Sequence, residues 1–120
     1  MSERGGQIVR YRGDTGPIEI SLTDADGVAV DLAAAVVKFT VKRTDLDAQA
    51  VAVVAKSSTD ASQILVTSAV GGVFEVYLTL AESRLLEAGV WPYDVEVTLA
   101  DGYVRTARGR FLVETDVTTQ

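Results

Sequence analysis

The 120 residues contain neither Cys nor His, so any chemistry falls to carboxylates, hydroxyls and amines. That excludes disulfides, thiolate nucleophiles, Cys/His zinc sites and every imidazole-dependent proton transfer. Asp94 and Glu96 flank Val95, and Glu75 lies on a separate alternating segment. Two carboxylates about 5–10 Å apart are the machinery of glycoside hydrolysis. Here the alternation sends Asp94 and Glu96 to the wet side of a strand, and nothing in the sequence sets an aromatic sugar cleft beside them. Ser83 and the other serines have no His to take their proton, which rules out a Ser-His-Asp triad. Gly5-Gly6 and Gly71-Gly72 are not followed by Gly-Lys-Ser/Thr, so neither forms a phosphate-binding loop. The expectation is a protein with no catalytic residues and no cofactor.

Two short motifs suggest binding. Asp24, Asp26 and Asp31 are hard oxygen ligands close in sequence. The EF-hand pattern nevertheless fails, because Ala35 occupies the twelfth position where a bidentate Glu is needed. Asp24-Ala25-Asp26-Gly27 reads more simply as a hairpin turn, and no metal is expected. Arg12-Gly13-Asp14 is the tripeptide of integrin-binding loops, but a three-residue match has a high false-positive rate. Followed by Thr15-Gly16-Pro17, it reads as an ordinary turn.

Seventeen acidic and eleven basic residues give a net charge of -6, the reverse of the balance in a nucleic-acid binder. The charge is segregated along the chain. Asp14, Glu19, Asp24, Asp26 and Asp31 form a stretch with no Lys or Arg between Asp14 and Lys38, and Arg105, Arg108 and Arg110 lie between Asp101 and Glu114 without an intervening acid. A solvated surface explains such runs. The sharper expectation is head-to-tail contact between copies, with Asp24 and Asp26 on one copy facing Arg105, Arg108 and Arg110 on the next. Complementary patches fix register, and heterologous contacts close into rings.

The elements that position these residues announce themselves by period-two alternation. Ile18, Ile20 and Leu22 alternate with Glu19, Ser21 and Thr23; Val37, Phe39 and Val41 with Lys38, Thr40 and Lys42; Phe74, Val76 and Leu78 with Glu75, Tyr77 and Thr79. Trp91, Tyr93, Val95, Val97 and Leu99 alternate with Pro92, Asp94, Glu96 and Thr98. One face of each is apolar and one wet, as in antiparallel sheets with one solvated side. Trp91 and Tyr93 are expected in the core rather than in a ligand groove, and Tyr11 and Tyr77 outside. Val51–Ala55 and Ile64–Thr67 are further strands, and Gln7–Tyr11 opens the chain. Turns fall at Asp26-Gly27, Gly71-Gly72 and Asp101-Gly102, with a polar connection at Ser57–Ser62, and Gly109 suggests a bulge. Thr79-Leu80-Ala81-Glu82 has capping-box spacing, which predicts a short helix over about residues 80–88 ended by Gly89.

A chain of this length buries about two-thirds of its unfolded surface, enough for one core. The expected fold is an all-β, immunoglobulin-like antiparallel β-sandwich with that one helix; a jelly roll or small barrel is the alternative. Residues 7–117 form the single domain, with tails at 1–6 and 118–120. No run approaches the roughly 20 apolar residues of a membrane span, and the N-terminus lacks the apolar stretch of a signal peptide, so no membrane partner is expected.

The order of motifs resembles a phage family. Arg12-Gly13-Asp14-Thr15 precedes Ile18-Glu19-Ile20; Asp24-Ala25-Asp26-Gly27 and Asp31-Leu32 precede Val37-Lys38-Phe39-Thr40-Val41. Leu78-Thr79-Leu80-Ala81-Glu82-Ser83 then leads through Leu86 and Gly89 to Trp91-Pro92-Tyr93-Asp94-Val95. Asp101-Gly102, Thr106, Gly109, Phe111, Val113 and Asp116-Val117-Thr118 close the set. The set, over about residues 8–118, is similar to the β-sandwich domain at the N-terminus of phage baseplate upper proteins and to small tail-associated proteins. The resemblance implies a non-catalytic virion protein, made in the host cytoplasm, that assembles with itself and with tail, baseplate or capsid proteins. A capsid decoration protein or an Ig-like adhesion module for host-surface glycan or protein is the alternative. Asp31-Leu32-Ala33-Ala34 stands where the family often has Asp-Leu-Thr-Gly, and Trp91 where Tyr is common. The resemblance covers the N-terminal domain of baseplate upper proteins and none of their stalk or receptor-binding region, so the expectation is a small adaptor, tail accessory or capsid decoration protein rather than a receptor binder.

Overall fold

Each alternating segment needs a neighbour for its backbone hydrogen bonds and a cover for its apolar face. The computed structural model describes residues 3–11, 16–42, 52–86 and 89–114, and in it both needs are met by two packed sheets. The elements are β1 (Glu3–Tyr11), β2 (Ile18–Ser21), β3 (Val36–Lys42), β4 (Ala52–Ser57), β5 (Ile64–Ser68), β6 (Val73–Val76), α1 (Leu80–Leu85), β7 (Gly89–Thr98) and β8 (Val104–Glu114). The larger sheet has the order β1-β8-β7-β3-β4 and the smaller β2-β6-β5.

This is an immunoglobulin-like sandwich. Lettering the strands A, B, C, C′, D, E, F and G in chain order makes the small sheet B-E-D and the large one A-G-F-C-C′. That is the partition of the immunoglobulin fold, with the first strand carried on the G edge. Phe39, Phe74 and Phe111 are fully buried, and the buried set draws on both sheets with Leu22, Val30 and Leu32 from the β2–β3 connection. Trp91 and Tyr93 belong to it, as their alternation requires, and Tyr93 packs against Phe39 with ring centroids 5.4 Å apart.

Four details correct the sequence expectations. The sandwich is not wholly antiparallel: β1 pairs with β8 in parallel, from Glu3 opposite Ala107 to Tyr11 opposite Glu114. β1 begins at Glu3, so the backbone of residues 3–6, expected in a tail, lies in the sheet. The bulge near Gly109 lies on the neighbouring strand. β7 and β8 keep register through Tyr93 opposite Gly109, whereas β1 shifts between Arg4 and Gly6. Finally, α1 stops at Leu85, and its C-cap is Leu86 in extended conformation. Gly89 instead opens β7 with φ 145°. Leu86 is 2% exposed, so its burial in the core takes the chain out of the helix before a glycine is reached. The N-terminal end matches its motif: the Thr79 hydroxyl accepts from Glu82 N, and the Glu82 carboxylate accepts from Thr79 N.

Candidate functional site

Strand parity decides where each charged residue goes. On β8, Arg105, Ala107, Phe111 and Val113 share the inward side, and Thr106, Arg108 and Arg110 the outward side. The basic run is therefore split. Arg105 is half-buried opposite Val97 at the start of β8, whereas Arg108 and Arg110 are exposed on the outer face of the five-stranded sheet. Across that face, Thr40, Asp94 and Arg108 form one cross-strand row, and Lys38, Glu96 and Thr106 the next. Arg110 is opposite Pro92, and Lys42 follows the Val41–Tyr93 pair on the other side of β7. Lys42, Arg108 and Arg110 thus surround Pro92 and Asp94, a basic cluster with a single central carboxylate. Burial pushes the Asp94 carboxyl above its usual range, and Glu96 adds to this; Lys42 and Arg108 pull the other way without reversing it.

The opposite broad face has the reverse sign. Glu19 on β2 is directly opposite Glu75 on β6, and neither these strands nor β5 contains a Lys or Arg. Tyr77 is half-buried rather than exposed, and its hydroxyl donates to Glu75 Oε1 at 2.8 Å. Glu75 therefore lies across the sandwich from Asp94 and Glu96, and the three carboxylates do not converge on one cleft.

Asp24 and Asp26 lie elsewhere, at one end of the sandwich. The chain ends of β7 and the starts of β3 and β8 meet there. The β2–β3, β5–β6 and β7–β8 connections therefore share that end. Asp24 Oδ1 accepts from Asp26 N and Val28 N, Asp31 Oδ1 from Ala33 N, and Asp101 Oδ1 from Tyr103 N. These are turn-closing bonds, so the aspartates shape the loops as their spacing suggests. Two of the loops are braced together: Leu22 N donates to Gly72 O and Leu32 N to Ala69 O, both at 2.9 Å. Val28, Val70 and Tyr103 are exposed at the loop tips. Sequence reasoning did not single out these tips as a group, and only the topology brings them to one end.

Other polar contacts are structural. Lys56, on the inward side of β4, is 8% exposed and reaches Glu82 of α1 at 2.6 Å. Arg10 donates to Gly16 O at 2.7 Å, tying β1 to the approach to β2. Among the described residues, no three Asp or Glu side chains gather as metal ligands would, and no helix is long and apolar enough to cross a membrane. Arg12-Gly13-Asp14 and residues 115–120 lie outside the described residues.

No family model matches this chain, and no curated protein matches it. Among solved structures it is similar to CopC from Methylosinus trichosporium OB3b, at 11% identity and TM-score 0.48 over 94% of this chain and 90% of that one. It is also similar to murine CRIg, at 16% identity and TM-score 0.40 over 91% of this chain and 92% of that one. At these values no property of either protein passes to this one.

Proposed function

We propose that this chain is a non-catalytic structural protein of a tailed-phage particle, a tail or baseplate adaptor or accessory that docks onto itself and onto other virion proteins. The observation that carries the docking role is the basic cluster of Lys42, Arg108 and Arg110 on a chain of net charge -6. Such a face, carried on a filled two-sheet core, steers and registers a partner without chemistry. Tyr93, on the inward side of β7 behind this face, is pushed up to about 12 by burial, so its phenol stays neutral at ordinary pH.

The phage assignment rests on the motif resemblance, and one conformational detail supports it. Ala34 occupies the position where those phage domains often carry Gly, and it has φ 56°, the positive φ that favours Gly. The test is whether the chain is in the particle. Purified virions made from the genome that carries it are analysed by peptide mass spectrometry and antibody labelling. Stoichiometric recovery with tail labelling supports the proposal, and absence from particles overturns it. Head labelling would move the protein to the capsid-decoration alternative. A second reading, an adhesion module for host-surface glycan or protein, is favoured by the exposed Val28, Val70 and Tyr103 at the braced loop end. It predicts glycan-array or cell binding by the isolated chain that is lost in Tyr103→Ser.

A further inference from the structure

Glu19 and Glu75 are Cα partners across β2 and β6, a juxtaposition that a folded sheet does not choose for its own stability. Side chains directly opposite on one face have Cβ atoms about 4.5–5.5 Å apart, and like charges there are destabilising. No Lys or Arg of the same three strands offsets the pair. The Tyr77 hydroxyl holds one oxygen of Glu75 at 2.8 Å, which fixes the carboxylate in place without neutralising it. Beside the pair, Leu65 is an exposed apolar residue opposite Glu75 on β5. The outer face of the small sheet therefore presents an acidic pair with an apolar neighbour.

The other broad face offers its complement. Lys42, Arg108 and Arg110 flank Pro92 and Asp94, with Glu96 in the next row, so three cations outnumber the two carboxylates beside the apolar ring of Pro92. Both faces are pleated sheet surfaces rather than loops. We propose that the small-sheet face of one copy seats on the five-stranded face of the next, with Glu19 and Glu75 meeting Lys42, Arg108 and Arg110 and Leu65 covering Pro92. This rests on the self-assembly part of the proposed function and names its contact. It replaces the loop aspartates Asp24 and Asp26 as the acidic partner. The contact is heterologous, because the two faces differ, so it propagates from copy to copy into a ring or a stack.

The contact makes a prediction that a plain surface role does not. Glu75→Gln and Glu19→Gln relieve a repulsion within each chain and remove a partner between chains. Each variant should melt at a higher temperature than the parent as a monomer while associating at least tenfold more weakly. Sedimentation equilibrium from micromolar to millimolar concentration gives the association, and melting at high dilution gives the monomer's stability. Arg108→Glu/Arg110→Glu should also fail to associate, and mixing it with Glu19→Lys/Glu75→Lys should restore two-component complexes. If the parent assembles and the Gln variants assemble equally well, the named contact is wrong and self-assembly stands. The contact is also wrong if the charge-swapped pair does not recover. A parent that stays monomeric throughout overturns both the contact and the self-assembly on which it rests.

Discussion

Asp94 and Glu82 show how two carboxylates in one small fold acquire opposite proton affinities. Burial would raise the Glu82 carboxyl, but the Lys56 hydrogen bond and the Thr79 backbone bond outweigh it, and the net direction is down from 4.5. A carboxyl with a lowered folded pKa contributes stability above its ordinary value, lost as pH falls through the folded value. Removing one partner of a fully buried pair costs about 3–5 kcal/mol. Glu82 keeps 25% exposure, so Glu82→Gln is expected to cost about 2–3 kcal/mol at neutral pH, below that range. Its melting temperature should also depend less on pH through the acid range than the parent's, measured by circular dichroism. Asp94 has the reverse sign. Its folded pKa is raised chiefly by burial, so ionising it costs the folded state, and that penalty disappears as pH falls below the carboxylate range. Asp94→Asn is expected to melt slightly higher than the parent at neutral pH and equal to it in acid. A lower melting temperature at neutral pH would mean that Lys42 and Arg108 stabilise the charge more than burial opposes it.

At the scale of elements, one brace and one turn at the loop end depend on left-handed backbone at a glycine. Gly72 has φ 68°, and a Cβ there would lie 2.7 Å from both Leu22 O and Val30 O. Gly102 has φ 86° with open space around the same position. Left-handed backbone alone costs an L residue about 1–2 kcal/mol, the expected loss for Gly102→Ala. Gly72→Ala adds a clash with two backbone oxygens that cannot swing away, so it should lose more than about 2 kcal/mol in urea unfolding. Ala34→Gly, at φ 56°, is expected to gain about 1 kcal/mol, since it removes a similar penalty. Much of this architecture was legible in the residues. The inner and outer faces of β2, β3, β6 and β7 follow from alternation, and the Thr79–Glu82 capping box from its spacing. The parallel β1–β8 pair was not legible, because it joins the two ends of the chain with no local turn to signal it. Nor was the helix end, since tertiary burial of Leu86 overrode the glycine signal. For the charged surfaces, grouping Arg105 with Arg108 and Arg110 followed sequence proximity, whereas β8 parity divides them. The Glu19–Glu75 pair depends on a register that no single strand encodes.

At the scale of the whole molecule, both sheets close on one buried cluster, so neither has a core of its own. Phe74 belongs to the small sheet and Phe39 to the large one, and both are fully buried. The β1–β8 pairing also joins the beginning of the described chain to its end, which couples residues far apart in sequence to one folding event. A body built this way should unfold as a unit, with calorimetric and van't Hoff enthalpies equal for the dissociated chain. Phe39→Ala and Phe74→Ala are each expected to cost about 3–5 kcal/mol. For a chain of this length that is a fall of roughly 10–20 °C in melting temperature. The decisive feature is the shape of the transition. Each variant should show a single calorimetric peak moved down as a whole, because a cavity on either side weakens the same shared core. Two resolved peaks in Phe74→Ala would mean that the small sheet melts independently. The face bearing Glu19 and Glu75 would then be a hinged flap, unable to hold the face bearing Lys42, Arg108 and Arg110 at a fixed distance, and rigid docking through both broad faces would fail with it.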